Sequence, residues 1–437
     1  MFVAYNSINL VNSFKIKFII FIFLAACGQN ESFFSDIPNP EIGESSIAVE
    51  YTCNEWLGSD NYVRCLEGAE ITLLENFDQK LNNVISYKKD VYLLQTDGII
   101  FKNTKDNIFL NITEKVSSIK DSTTAEVGLY GMSFHPTDNY FLVSYSNLIN
   151  ELIIEKYELD ADSAVVIKNS EIIFEQKNEW CCHFAGSVIW SDYFNDFLIS
   201  VGDMDEAASA TREPLITTSN KGKVLFLTKN ISNTKLIGLN DDLESKKNIL
   251  AYGLRNPWKI SAYSNFLFIT DVGSINQEEL NLVNLESFKQ RNNEPYLYGW
   301  PVYEGTAIKE KESLEYSKIS LWAEGESSDA IEYVSQNSIA PTIYYYHEAQ
   351  ENYRAAIIGG GVIDNQESEH FEHYIFADYL SKELFSYNFI SDELFLIPLP
   401  SEFSSQITTL AINPQQKDSI LIATTDGKLY KVKLPKF

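Results

Sequence analysis

The chain holds only five His, and His183 has the setting most suited to chemistry, in Cys182-His183-Phe184-Ala185-Gly186 just ahead of an apolar run. An imidazole titrates near neutrality and can take a hydroxyl proton. Small Ala185 and Gly186 let a flat ligand approach the backbone beside it. Arg255 and Asn256, in Gly253-Leu254-Arg255-Asn256-Pro257-Trp258, place a cation and an amide side by side ahead of a proline. Plain structural roles stand beside these: a packed histidine, an ion-pairing arginine, an asparagine capping a turn. Asp203-Met204-Asp205-Glu206 reads as an acidic solvated loop, with calcium binding as its functional alternative. His370 and His373 are surface residues or two ligands of one metal, and Gly359-Gly360-Gly361 marks a strand entry needing close backbone approach. The chain has no Gly-x-Gly-x-x-Gly after a strand, no Walker loop and no Gly-x-Ser-x-Gly elbow, and His347-Glu348 lacks the second His of a zincin.

These residues sit between recurring strands. A short apolar strand appears six times: Val91-Tyr92-Leu93-Leu94, Tyr140-Phe141-Leu142-Val143, Phe197-Leu198-Ile199-Ser200, Phe266-Leu267-Phe268-Ile269, Tyr374-Ile375-Phe376-Ala377 and Ile420-Leu421-Ile422-Ala423. Turns at Asp97-Gly98 and Asp426-Gly427 lead into partner strands, which makes hairpins. Runs that are apolar throughout are buried on both faces, and their wide, irregular spacing predicts an all-β, six-bladed β-propeller of four-stranded antiparallel blades. A large β-sandwich is the competing all-β reading. The composition agrees, with 45% hydrophobic and 13% aromatic residues. A formal net charge of −27 excludes a phosphate-neutralising binder of nucleic acid.

The N-terminus reads as an address. Lys15 and Lys17 precede an apolar run from Phe18 to Leu24, too short to span a bilayer and ending in Leu24-Ala25-Ala26-Cys27. That ending resembles the lipobox of a bacterial lipoprotein, with lipidation at Cys27. It predicts a signal peptide over 1–26, a tether over 27–50 and one domain over 51–437 with a polar insertion near 304–336. The predicted location is the cell envelope, lipid-anchored and facing the periplasm, with Gly28 after the cysteine favouring the outer membrane. In that oxidising compartment Cys53, Cys65, Cys181 and Cys182 are disulfide candidates. Cys53 with Cys65 is favoured by nearness; Cys181 and Cys182 form a vicinal ring, stay as thiols or bridge elsewhere.

Four segments in order resemble the glucose/sorbosone dehydrogenase family: Glu126-Val127-Gly128-Leu129-Tyr130-Gly131-Met132-Ser133-Phe134-His135-Pro136; Cys182-His183-Phe184-Ala185-Gly186 running on to Gly202-Asp203; Gly253 to Trp258 continuing to Asp271-Val272-Gly273; and Tyr298-Gly299-Trp300-Pro301-Val302-Tyr303-Glu304-Gly305. The resemblance, over about residues 69 to 434, implies a six-bladed propeller that oxidises aldose sugars with pyrroloquinoline quinone (PQQ) and calcium and passes electrons to an acceptor. It implies His183 as the base, Arg255 as the cation at the reduced oxygen, Asn256 and Glu126 as cofactor contacts, and the carbonyls of Gly273 and Ser274 as calcium ligands. It also locates departures. Leu380, Gln406 and Thr408 fall where the family's sugar oxidisers hold cofactor carboxylates with basic residues, and Cys182 replaces an Asp. A non-catalytic carbohydrate- or protein-binding propeller is the alternative these departures imply.

Overall fold

The computed structural model describes residues 54–56, 62–117, 126–160, 169–180, 182–205, 213–228, 248–274, 276–305, 334–349, 352–416 and 418–437. Most of the predicted insertion, like Cys27, Cys53 and Cys181, lies outside them. The chain divides into one unit of Met1–Thr52 with Ile119–Glu126 and a second of Cys53–Ser118 with Val127–Phe437; the second is a six-bladed propeller.

Blade 1 runs outward through Leu81–Tyr87, Asp90–Gln95, Ile99–Lys102 and Ile108–Asn111, and blade 2 through Leu129–Phe134, Tyr140–Ser146, Glu151–Glu158 and Ser170–Lys177. Blade 3 comprises Ala185–Ser191, Asp196–Val201, Lys223–Phe226 and Ile249–Tyr252, with Tyr296–Leu297 added in parallel. Blade 4 comprises Lys259–Tyr263, Phe266–Asp271, Gln277–Asn284 and Ile343–Tyr346. Blade 5 comprises Ile357–Val362, His373–Asp378, Leu384–Asn388 and Glu393–Ile397. Blade 6 takes Ile407–Ile412, Ser419–Thr424 and Lys428–Lys433 from the C-terminus and its outer strand, Glu70–Asn76, from the other end of the domain. That pairing closes the ring, since a strand from each end of the domain is locked into one sheet.

All six apolar strands expected from sequence are the second strands of their blades. Each is covered by neighbouring blades on both faces, as the wholly buried Asp196–Val201, His373–Asp378 and Ser419–Thr424 show. Apolar clusters fill the seams between blades 1 and 2, 3 and 4, 4 and 5, 5 and 6, and 6 and 1. At the seam of blades 2 and 3, His135, Tyr140, Trp190 and Phe197 interlock ring against ring.

The innermost strands pack consecutively around the axis. Five of them carry a β-bulge near their start, at Leu81/Asn83, Leu129/Gly131, Ala185/Val188, Ile358/Gly361 and Ile407/Thr409. A bulge adds one unpaired residue and re-aims its neighbours. Gly359 and Gly360 belong to one of these bulges, and a Cβ on Gly360 would strike the Ile375 carbonyl, so the expected close approach is found. Blade 4 pairs regularly from Lys259↔Thr270 onward. From it the buried Lys259 amine reaches Leu410 O of blade 6 (2.8 Å) and Asn83 Oδ1 of blade 1 (3.3 Å).

Cys65 is disulfide-bonded, and Asn54–Trp56 pairs antiparallel with Tyr62–Cys65 so that Asn54 faces Arg64. Cys182 is buried, and Cys181, with which a vicinal ring is one expectation, lies outside the described residues.

Candidate active site

His183 lies two residues ahead of the innermost strand of blade 3. It adopts φ +57°, Ala185 φ +54° and Met204 φ +52°, three non-glycine residues in the left-handed region within one cluster. Each such residue costs on the order of 1–2 kcal/mol and persists where its surroundings impose it, most often at functional sites. Gly202 allows the two loops to meet, because a Cβ there would collide with the His183 carbonyl. Asp203 follows, its N–H donating to Arg255 O at 2.7 Å.

The side chains form a closed constellation. His183 Nδ1 lies 2.7 Å from Asp203 Oδ1, and Trp300 Nε1 donates to Asp203 Oδ2 at 2.9 Å. Arg255 Nη2 stands 3.0 Å from His183 Nε2, while its Nη1 donates to Gly273 O (2.6 Å) and Val272 O (3.0 Å). The guanidinium lies over the Trp300 ring, 5.5 Å from its centroid. With Nδ1 donating to Asp203, the lone pair of His183 is left on Nε2, the nitrogen aimed at Arg255. Asp203 is buried, which alone would raise its pKa; the charge and hydrogen bond of His183, with Arg255, hold the carboxyl below its ordinary value.

Asp271 positions the Arg255 loop by accepting from Arg255 N (3.0 Å) and Asn256 N (2.7 Å). It faces Glu279 across the strand pair. Burial, then the charge of Glu279, pushes Asp271 well up, and burial lifts Glu279 to about 7. The loop bearing Gly273 is held by two more carboxylates. Glu304 Oε1 accepts from Ser274 N (2.7 Å), Asn276 N (3.0 Å) and Gln277 N (3.1 Å). Glu278 accepts from Gly273 N at 3.2 Å and from His347 Nε2 at 2.7 Å.

The structure therefore brings together His183, Arg255, Asn256 and Gly273, with Ser274 next in the chain. Asn256 is buried, its Oδ1 against the backbone at Gly202. Glu126 is half-buried ahead of the innermost strand of blade 2 and belongs to the other unit. The solvated acidic loop is corrected: Asp203 and Asp205 are buried because Asp203 is the partner of His183. His370 and His373 are buried too, and their ring nitrogens are taken by Ser386 Oγ, Pro435 O and Asn388 Nδ2, which leaves them no metal-binding geometry.

At the positions expected to hold cofactor acids, Thr408 is buried and donates to Leu81 O, Gln406 accepts from Thr425 Oγ1, and Leu380 is half-exposed. Lys382 points to Ser404 O from an exposed setting. Trp300, Asp271, Glu304 and Lys259 support this arrangement or the innermost strands through their hydrogen bonds, and the sequence did not single them out individually. Trp300 and Glu304 lay inside the Tyr298–Gly305 motif, which was the available signal for them.

Comparison with known proteins bears on the family and the fold. The family model for glucose/sorbosone dehydrogenase matches residues 95–369, well over half of the chain. HIPL1 protein of Arabidopsis thaliana is 27% identical over 263 residues, 54% of this chain and 34% of that protein, so the match spans about a third of the relative. Among solved structures, the apo-form soluble aldose sugar dehydrogenase of Escherichia coli superposes with a TM-score of 0.61 at 14% identity, covering 84% of this chain and 99% of that one. A glucose dehydrogenase superposes with a TM-score of 0.58 at 15% identity, covering 83% and 98%. At such identities the superpositions establish the fold. The matched family model establishes the family: the chain is a member of the glucose/sorbosone dehydrogenase family.

Proposed function

We propose that this chain is a sugar dehydrogenase-like oxidoreductase in which His183 Nε2 takes the hydroxyl proton of an aldose as hydride leaves the adjoining carbon. The observation that carries the reading is the His183–Asp203 pair at 2.7 Å, with His183 on left-handed backbone and Arg255 Nη2 standing 3.0 Å from its Nε2. Asp203 fixes the tautomer and offsets the imidazolium charge formed when the proton arrives. Trp300 fixes the second carboxylate oxygen, so the imidazole keeps its orientation. Arg255, clamped by two carbonyls, is a preorganised cation for oxygen that gains negative charge.

PQQ is the proposed electron sink, supplying a flat quinone that accepts two electrons. Arg255 and Asn256 suit its reactive end. Its acid end is poorly matched, because Leu380, Gln406 and Thr408 offer no cation. Calcium is proposed at the Gly273 and Ser274 carbonyls, where Gly273 O would be shared with Arg255. Glu278 and Glu304 beside that loop offset the added positive charge. The absent cations favour the second reading, a propeller that binds a carbohydrate or a protein without catalysis. On sequence alone, we further propose lipid anchoring through Cys27 at the periplasmic face of the envelope.

The test is titration of the metal-free soluble domain with PQQ and calcium, followed by absorbance, then a panel of aldoses with a dye acceptor. Saturable binding with sugar-dependent dye reduction that disappears in His183→Ala supports the oxidoreductase. No binding at high micromolar quinone overturns it in favour of the second reading.

A further inference from the structure

Among the described residues, the two most exposed large apolar side chains are neighbours, Leu148 (68%) and Ile149 (71%). They form the tip of the blade 2 hairpin between Tyr140–Ser146 and Glu151–Glu158. The tip is well braced: Asn147 Oδ1 accepts from Ile149 N at 3.1 Å and Glu151 N at 2.8 Å. Asn150 Nδ2 donates to Asn178 O at 2.9 Å and to the carbonyl of Trp180, another exposed apolar residue (44%). Asn178 returns a bond from its N–H to Asn150 O at 3.0 Å, and its Nδ2 donates to Cys182 O at 2.8 Å. Hydrogen bonds thus join the apolar tip stepwise to the residue preceding His183. Soluble proteins seldom hold adjacent large apolar side chains rigidly in water without a partner.

We propose that Leu148, Ile149 and Trp180 form the docking surface for a basic, soluble one-electron redox protein that collects electrons from the His183 site. The inference rests on the oxidoreductase reading. Charge complementarity selects the partner: the chain carries −27, and beside the apolar centre the exposed Glu179, paired with Lys177 at 3.3 Å, and the half-buried Glu151 leave an acidic excess. Small apolar centres with charged rims are typical of transient redox encounters, in which opposite charge speeds association. Oxidising one sugar C–OH to C=O removes a hydride and a hydroxyl proton. A quinone-class acceptor bound at the His183 site would take that hydride as two electrons and a proton; the electrons then leave it singly to two successive carrier molecules, each reduced by one electron, and both protons pass to solvent.

The experiment uses the full mature chain and a basic c-type cytochrome as probe. Equilibrium binding is measured at low and high salt for the native chain and the Leu148→Ser/Ile149→Ser double variant. Both residues are solvent-exposed, so folding should be disturbed by no more than about 0.5 kcal/mol, which melting temperatures check. The expected result is salt-sensitive binding that the variant weakens by about tenfold or more, with dye-linked sugar oxidation unchanged. Undetectable binding by the native chain, or equal binding by the variant, overturns the docking surface. If the native chain never reduces dye, the oxidoreductase reading fails, while the binding comparison still decides the surface.

Discussion

Lys259 should set a pH dependence of stability that a single substitution removes. Its amine is enclosed by the innermost strands and bonds only neutral oxygens, Leu410 O and Asn83 Oδ1. Burial therefore lowers its pKa from 10.5 to about 7. In the unfolded chain the amine stays protonated up to its ordinary value, so between about pH 7 and 10.5 the unfolded state binds more protons and stability rises with pH. Below about pH 7 the folded chain carries the full penalty of the buried charge, on the order of 4–5 kcal/mol at 1.36 kcal/mol per tenfold change. Lys259→Met abolishes that slope and leaves Leu410 O without its amine donor, a loss of about 1–3 kcal/mol. Asn83 Oδ1 keeps its bonds from Val84 N and Thr409 Oγ1. The variant should therefore be the more stable protein at pH 6 and the less stable at pH 10. Denaturant unfolding of both proteins at matched ionic strength from pH 6 to 10 reads this out, because other titrating groups cancel in the difference. A difference that stays flat across pH 7 to 10 would refute the buried, depressed amine.

Asp203→Asn should lower turnover by about 10²–10⁴, since the amide cannot fix the tautomer or offset the imidazolium, and should also lower the melting temperature at neutral pH; steady-state kinetics with a dye acceptor and thermal unfolding check it. The Asp203 carboxyl is held below its ordinary value, so the stability it provides is present above the unfolded pKa near 3.9 and lost as pH falls through the lower folded one; acid unfolding of Asp203→Asn should lack that component. Gly202→Ala drives a Cβ into the His183 carbonyl and should destabilise by about 3 kcal/mol or more, visible as a lower denaturant midpoint. Removing the closing strand by starting the domain after Asn76 should leave Lys428–Lys433 as an open edge and produce aggregation in size-exclusion chromatography.

The parts of the fold legible in sequence are those buried on both faces. Second strands such as Phe266–Asp271 show as solid apolar runs, since both faces meet neighbouring blades. The innermost strands hid because bulges and the axial channel demand Asn82, Asn83, Gly359, Thr408 and Thr409 where a strand pattern expects alternation. Outer strands hid for the opposite reason: Glu70–Asn76 is mostly exposed, and its partner lies at the far end of the chain. At the site, His183 and Arg255 were legible as chemistry. Asp203 was not, because an acidic tetrad reads as solvated until the fold shows that Gly202 draws it beneath the imidazole.

Electrostatics sharpen the question of the cofactor. Around Arg255 the buried carboxyl groups are Asp203, Asp205, Asp271, Glu278, Glu279 and Glu304. Most are spent internally: Asp203 on His183 and Trp300, Asp271 on two amides, Glu278 on His347, Glu304 on the loop after Gly273. Burial raises both Asp271 and Glu279 toward their neutral forms. The reactive end is thus balanced enough to receive a quinone oxygen beside Arg255. A ligand carrying several carboxylates would still meet Leu380, Gln406 and Thr408, where charge-assisted bonds worth about 1.5–3 kcal/mol each are missing. Affinity for the proposed quinone should accordingly be far weaker than the intact His183–Asp203 pair suggests. It should also be the property most readily restored, by Gln406→Arg, whose measured gain in quinone affinity would separate a lost anchor from a lost function.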